Sequence, residues 1–435
     1  MMTATDPGSP GPERSVPRGT GYSERARWGF LSVLFLSGIT AYIDRGVVSI
    51  ILEPLRKEFG ASDTMLGLLT GFSFAVCYAT LSIPISRWAD RGDRPLIISA
   101  SILAYSICTL LCGFVSAFWQ LVLLRIGVGA GEAGGVPCAQ SLIGDYYPPE
   151  RRARANGVYV TCGIVASVLV LVGGTRIAQD FGWRRLLICA GAPGILIAGL
   201  SGFCLAEPRR LFGYPAKIDR ERMGAAMHAL LRKRSYVHVV GALVCYYLLA
   251  FGALSFQVSF IVRVHHATLS HAGKLLAIVG SISAIVGSLA GGIMADFLAA
   301  KDVAWLGRWP AIGLIVCCPL FLLAFAAPSE LSMALVLTCG YIVLWASYPA
   351  ILGAIHAVCG NRRRATAFAA AFLLANLIGL GLGPLLTGSL SDGLAKSLGP
   401  IEGLRVAMLV MMMVFIPAGI HLFLATKWMP GDVEP

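Results

Sequence analysis

Twelve apolar runs, most of them about 20 residues long or more, account for most of this chain. They cover residues 28–51, 64–87, 95–116, 119–143, 155–176, 183–205, 236–262, 271–297, 309–327, 331–357, 366–390 and 404–426. A run of that length crosses bilayer hydrocarbon as a helix, whereas a barrel strand needs only about 9–11 residues. A water-soluble protein could not cover a 57% hydrophobic interior with 13% charged residues. The expected fold class is an all-α polytopic membrane protein with twelve transmembrane helices. Its 50 glycines fit that expectation, because helices in lipid approach one another through small residues.

Most Lys and Arg residues sit in the short loops. With the N-terminus inside, 24 fall on the cytoplasmic side and 9 outside. The positive-inside rule then places both termini in the cytoplasm. It also explains the net charge of +12 without a nucleic-acid partner. Residues 1–27 carry Pro, Gly and Arg without an apolar core or cleavage site, and read as a disordered tail rather than a signal peptide. Residues 427–435 form the second tail. The polar stretch 206–235 separates two six-span halves, 28–205 and 236–426, and part of it is expected to lie as an amphipathic helix on the inner membrane surface. The halves echo each other. SRWAD (Ser86 to Asp90) is matched by GIMAD (Gly292 to Asp296), and RARA (Arg152 to Ala155) by RRRA (Arg362 to Ala365). Parallel repeats of this kind are a common transporter architecture.

A charge at the bilayer centre costs about 2.5–3.5 kcal/mol on insertion scales, yet residues 41–49 read AYIDRGVVS. At about 1.5 Å per residue, Asp44 and Arg45 in the first run lie at a depth similar to Arg125 in the fourth. Glu132, about two turns past Arg125, shares its helix face and lies about 10 Å deeper. Four such charges can pair and stay hydrated if they face a common cavity. The arrangement suits a proton-coupled anion site. Asp44 and Glu132 are the candidate proton carriers, and Arg45 and Arg125 can grip a phosphate or carboxylate. The competing reading is a static ion-pair network that fixes helix packing.

The second half is nearly free of charge within its runs. It offers Tyr246, Tyr247, Phe251, Phe256, Gln257, Tyr341, Trp345, Tyr348, Phe372 and Asn376. Tyr246, Phe251, Tyr341, Trp345 and Asn376 are taken as candidate substrate contacts. One charged wall and one greasy wall suit an anionic amphipath. At the cytoplasmic ends of the runs, Asp90, Arg91, Arg94, Asp145, Arg151, Arg152 and Asp296 are candidate inner-gate residues, with Glu207 a further candidate; the alternative is helix capping and topology. His265, His266 and His271 read as a solvated outer loop rather than a metal site, and His356 and His421 as structural. Twelve scattered cysteines without a recurrent CxxC spacing indicate neither a zinc site nor a disulfide framework. No nucleophile–base pair, phosphate loop or cofactor motif is present, so neither an enzyme nor a cofactor is expected.

The segment SRWADRGDR resembles the cytoplasmic signature of the major facilitator superfamily. Asp90, Arg91 and Arg94 match it. Ser86 stands for the leading Gly, and Asp93 stands where the wider family usually has Gly. LVLLRIGVGAGEAG resembles the superfamily's Arg-and-Gly motif, with Arg125 as its Arg. The chain is further similar to Spinster-type lipid transporters through Asp44–Arg45, the run from Arg125 to Glu132 and EPLRKEFGASDTMLGLLTGFSF. That resemblance implies two pseudo-symmetric six-helix bundles and a lysophospholipid or sphingosine-phosphate substrate. The Gly-Pro antiporter signature is missing from the fifth run, which reads VLVLVGGT, while GLGLGP (Gly379 to Pro384) occurs in the eleventh. The expectation is a monomeric, proton-coupled secondary transporter in a bacterial inner membrane. The alternatives are a drug or organic-anion carrier of the same fold and a non-transporting receptor.

Overall fold

The computed structural model describes residues 21–212 and 223–433, with the side chains at 83, 86, 90, 91, 223, 361, 362 and 365 outside that description. The described residues form helices and turns and no strand. Eleven stretches are long and apolar enough to cross a bilayer: Glu24–Ile50, Asp63–Ala89, Arg94–Cys112, Phe118–Tyr146, Pro149–Phe181, Trp183–Phe212, Arg234–Val264, Leu269–Ala299, Trp305–Ala326, Glu330–Gly360 and Thr366–Asp432. The last runs for 67 residues, about three times what one crossing needs. Its helix is interrupted at Gly399, where φ is 82°. A Cβ on Gly403 would stand 2.8 Å from the Ser391 carbonyl oxygen, so the chain after Gly399 lies back against the chain before it. Twelve crossings result, numbered spans one to twelve.

Helix starts follow local chemistry. Ser62 caps span two by accepting the Met65 N–H, and Thr268 caps span eight by accepting the His271 N–H. Asp93 has the same role in span three, accepting the Leu96 N–H at 3.0 Å, and it also pairs with Arg210 at 2.9 Å. The departure from the family's Gly at this position therefore gains a cap. Span five begins at Pro149, earlier than its apolar run, because Pro is favoured in the first turn. The connection between halves contains two short helices, Pro208–Phe212 and Met223–Arg232; residues 213–222 lie outside the described residues. In the second helix Ala226 and Leu230 are buried, and it packs against span seven and the helix Glu330–Leu374.

The halves meet along two seams, span two with span eleven and span five with span eight. Glycines make the first seam close. A Cβ on Gly67 would lie 2.3 Å from the Pro384 carbonyl oxygen, and one on Gly71 would lie 2.6 Å from that of Gly381. The GLGLGP run thus sits where span eleven presses on span two. In the second seam a Cβ on Gly273 would lie 2.1 Å from the Leu171 carbonyl oxygen, yet one on Gly280 would meet nothing within 4 Å. Gly280 is about two turns deeper on the same face. Taking sides from the charge bias, this seam is tighter at its outer end, at Gly273, than at Gly280. Spans two, five and eleven each carry a π turn, at Leu68–Phe72, Leu169–Gly174 and Ala375–Leu380. Such turns often mark functional positions.

Inside the first half, span four lies directly on span two: a Cβ on Gly129 would stand 2.3 Å from the Phe74 carbonyl oxygen. Gly129→Ala is expected to lower stability by about 1–3 kcal/mol through overpacking. Gly144→Ala, where a methyl meets nothing within 4 Å, should stay within about 0.5 kcal/mol of the parent. Thermal unfolding of the detergent-solubilised variants measures both.

Candidate substrate and proton site

Span four's glycines build the charged chamber. Gly129 lets span four reach the backbone of span two at Phe74, and Gly131 lets it reach span three, where a Cβ would stand 2.8 Å from the Tyr105 nitrogen. These approaches bring Arg125 and Glu132 of span four beside Asp44 and Arg45 of span one. Arg45 donates from Nε to Glu132 Oε2 at 2.6 Å. Arg125 Nη1 donates to the main-chain carbonyl of Asp44 at 3.1 Å rather than to its carboxylate. Asp44, Arg125 and Glu132 are buried, whereas the Arg45 side chain keeps 23% of its surface exposed. The structure therefore gathers the four ionisable residues that lie within the first and fourth apolar runs.

Aromatic rings enclose the guanidinium groups. The Arg45 guanidinium carbon lies 4.8 Å from the Tyr78 ring centre, 5.4 Å from that of Phe74 and 5.7 Å from that of Tyr42. The Arg125 guanidinium carbon lies 5.3 Å from the centre of the same Phe74 ring. Faces of this kind hold a cation that has lost part of its hydration. The network is incomplete, however. Asp44 Oδ1, Glu132 Oε1, Arg45 Nη2 and Arg125 Nε are buried without a hydrogen-bond partner. Two acceptors and two donors thus remain within one chamber.

The aromatic residues of the second half divide into two groups. Tyr247 and Tyr348 face each other with hydroxyls 3.3 Å apart, and Phe251 and Phe372 flank Tyr247 at 5.3 and 6.1 Å between ring centres. Tyr246 stacks on Tyr348 from a buried position, and the Trp345 ring meets Tyr348 at its edge, 6.4 Å away. Tyr341 belongs elsewhere and donates to Gln257 Oε1 at 2.6 Å. Asn376 spends its amide on the Phe372 carbonyl of its own helix at 2.7 Å. Among the sequence candidates, Phe251 is the more open, with 39% of its surface exposed.

The candidate inner-gate charges that pair do so within the first half. Arg94 is buried and bonds Asp145 at 2.7 Å, Ser141 at 2.9 Å and both Glu207 carboxylate oxygens. Arg151 pairs with Glu24, and Arg152 donates to the Tyr147 carbonyl at 2.9 Å. Asp296 is exposed and, among the described residues, joins none of these groups. The side chains of Asp90 and Arg91 lie outside the described residues. Sequence reasoning missed a buried cluster at the opposite ends of the spans, where Arg263 bonds Glu53 and Asp63. The only sequence signal is three charged residues at span ends, where charges are common.

The Major Facilitator Superfamily profile matches residues 34–384. A protein described as an MFS-type efflux pump from Mycolicibacterium smegmatis is 31% identical over 379 residues, covering 87% of each chain. A mouse sphingosine-1-phosphate transporter is 29% identical over 215 residues, covering 47% of this chain and 38% of its own. A crystal structure of a bacterial homologue of the human lysosomal transporter Spinster, inward-facing and unoccupied, is 30% identical with a TM-score of 0.87, covering 95% of this chain and all of that one. Family and fold are those of transporters, not enzymes. The chain is a multi-pass membrane protein of the Major Facilitator Superfamily, Spinster-like in sequence and fold.

Proposed function

We propose that this transporter carries an anionic amphipath, a lysophospholipid or sphingosine-phosphate-like lipid, and couples its movement to protons. The observation that carries this reading is the incomplete four-charge chamber. A finished ion-pair network would be inert; this one has spare donors on Arg45 and Arg125 and spare acceptors on Asp44 and Glu132. The spare guanidinium nitrogens suit a phosphate or carboxylate headgroup. The Tyr247–Phe251–Phe372 wall offers apolar surface to a hydrocarbon tail, and this is the feature that a small sugar acid would leave unused.

Asp44 is the stronger candidate for the carried proton. Its carboxylate is buried without a guanidinium bonded to it, and an isolated buried charge is costly. Glu132 is held by Arg45 and becomes free to take a proton when an anionic headgroup claims that guanidinium. The headgroup then replaces Glu132 on the guanidinium, and the proton settles on the carboxylate it frees. In this reading residues 28–205 and 236–426 are the two rocking bodies and 206–235 their link, with residues 1–27 and 427–435 as cytoplasmic tails. The protein works as a monomer in a bacterial inner membrane with both termini cytoplasmic. The cytoplasmic charges around Arg94 hold the first body's inner face together, while Asp90 and Arg91 of the first body and Asp296 of the second join the two bodies in the outward-facing state. Similarity to an efflux pump supports a second reading, a proton-linked drug or organic-anion carrier.

Proteoliposomes loaded with labelled lysolipid test the coupling. Flux should respond to an imposed pH gradient in the parent, and Asp44→Asn and Glu132→Gln should each remove that response. Gradient-independent flux in the parent would exclude proton coupling. Arg125→Ala should weaken headgroup binding roughly tenfold or more, as loss of a charge-assisted contact does.

Tail length tests the substrate class. Each CH₂ removed from the lysolipid should cost up to about 0.8 kcal/mol of binding for as long as the apolar wall is covered. Competition by a sugar acid or a cationic drug at equal strength would instead favour the second reading.

A further inference from the structure

We propose that the outer gate of this protein is a pair of reciprocal helix caps locked by Arg263, in which each half closes the first turn of a helix belonging to the other. This rests on the alternating-access reading above and adds the residues that hold one of its states.

The first amides of a helix have no partner within it. At the outer start of span two, the N–H groups of Asp63 and Thr64 donate to the Asp392 carboxylate of span eleven at 3.0 and 2.8 Å, and the Thr64 hydroxyl adds a third bond at 2.6 Å. At the outer start of span eight, the Ser270 N–H donates to Gln179 Oε1 of span five at 2.9 Å. Span eleven of the second half thus caps span two of the first, and span five of the first caps span eight of the second. The exchange follows the internal repeat.

Arg263, at the end of span seven, bonds the first residue of span two beside the Asp392 cap. Its Nε donates to Glu53 at 2.5 Å, and its two terminal nitrogens grip Asp63 at 2.7 and 2.6 Å. Ser391 of span eleven donates to the same Asp63 carboxylate at 2.6 Å. Glu53 and Arg263 belong to opposite halves and bond each other across them. Arg263, Glu53 and Asp63 are all buried. No outward path opens at this level while these bonds stand.

The caps are unequal. Asp392 brings a charge to a helix N-terminus, where a negative group is favoured, and Gln179 brings a neutral amide. Charge-assisted bonds are roughly twice as strong as neutral ones. The span two–eleven seam is therefore the firm side of the gate, and the span five–eight seam the side that releases first.

Hydrogen–deuterium exchange of the full chain in lipid nanodiscs tests the gate without needing a substrate. Arg263→Ala and Asp392→Asn should each raise exchange at amides 63–66 and 270–272 roughly tenfold, the scale expected for losing a bond to a charged group. They should also slow exchange at the cytoplasmic ends of spans two, five, eight and eleven as those ends close. Gln179→Glu should act in the opposite sense, slowing outer exchange. A local defect would raise outer exchange and leave the cytoplasmic ends unchanged, and that result overturns the proposal. So does unchanged exchange in variants that remain monodisperse. If Arg263→Ala does not fold, Asp392→Asn and Gln179→Glu read the same gate in opposite directions. A parent that moves no lysolipid yet shows these opposed shifts would sink the substrate assignment and leave the gate standing.

Discussion

The Arg45–Glu132 ion pair is the contact on which the first half depends. A carboxylate 1% exposed at bilayer depth persists because a guanidinium lies 2.6 Å away. Removing one partner of such a pair costs about 3–5 kcal/mol, because the other is left buried and uncompensated. The pair demands that spans one and four touch at this depth. Gly129 and Gly131 supply the close approach of span four to spans two and three. Phe74 and Tyr78 of span two then cover the Arg45 guanidinium. Four helices are organised around one bond, and the glycines between Arg125 and Glu132 are as necessary to it as the charges.

Much of this was legible in the sequence, for physical reasons. Charges inside apolar runs are expensive, so each one carries information. Helical rise converts position to depth, which put Asp44 and Arg45 level with Arg125, and helix periodicity put Glu132 on the same face of span four. Twelve spans were legible from length and hydropathy for the same reason. The Arg263–Glu53–Asp63 cluster was not. Its members sit at span ends, where charge is cheap and therefore uninformative, and Arg263 lies about 200 residues from its partners. The aromatic set was only partly legible. Its place in an apolar run groups Tyr341 with the others, but its hydroxyl is committed to Gln257, and Asn376 turns back on its own helix. Side-chain commitments of that kind depend on neighbours that no spacing rule supplies. Asp93 shows the reverse case: a departure from a family pattern that becomes intelligible once its cap on Leu96 is seen.

The two halves divide the chemistry as well as the topology. Both buried carboxylates, Asp44 and Glu132, and both guanidiniums stand on spans one and four, while spans seven, ten and eleven present tyrosine hydroxyls and phenyl rings. A headgroup bonded to the first half and a tail lying on the second would connect bodies that otherwise touch along two seams. Occupancy then has a direct mechanical consequence. Substrate adds an attraction across the chamber without adding one across the outer ends, so it biases the equilibrium by the difference in contact between states.

That bias has to overcome the outer cluster, and the physics of buried ion pairs makes this feasible. Arg263 and its two carboxylate partners lose hydration when the halves close, and the desolvation penalty cancels much of their Coulombic attraction. Opening returns water to all three groups. A gate made of apolar contacts would have no such return, since exposing its surface costs about 25 cal/mol per Å² with nothing regained. A buried Arg–carboxylate latch can therefore be geometrically tight and yet nearly balanced in free energy. Near balance is what alternating access needs, because a ligand shifts two states only by its own differential affinity, and a deep well on either side would outlast any substrate.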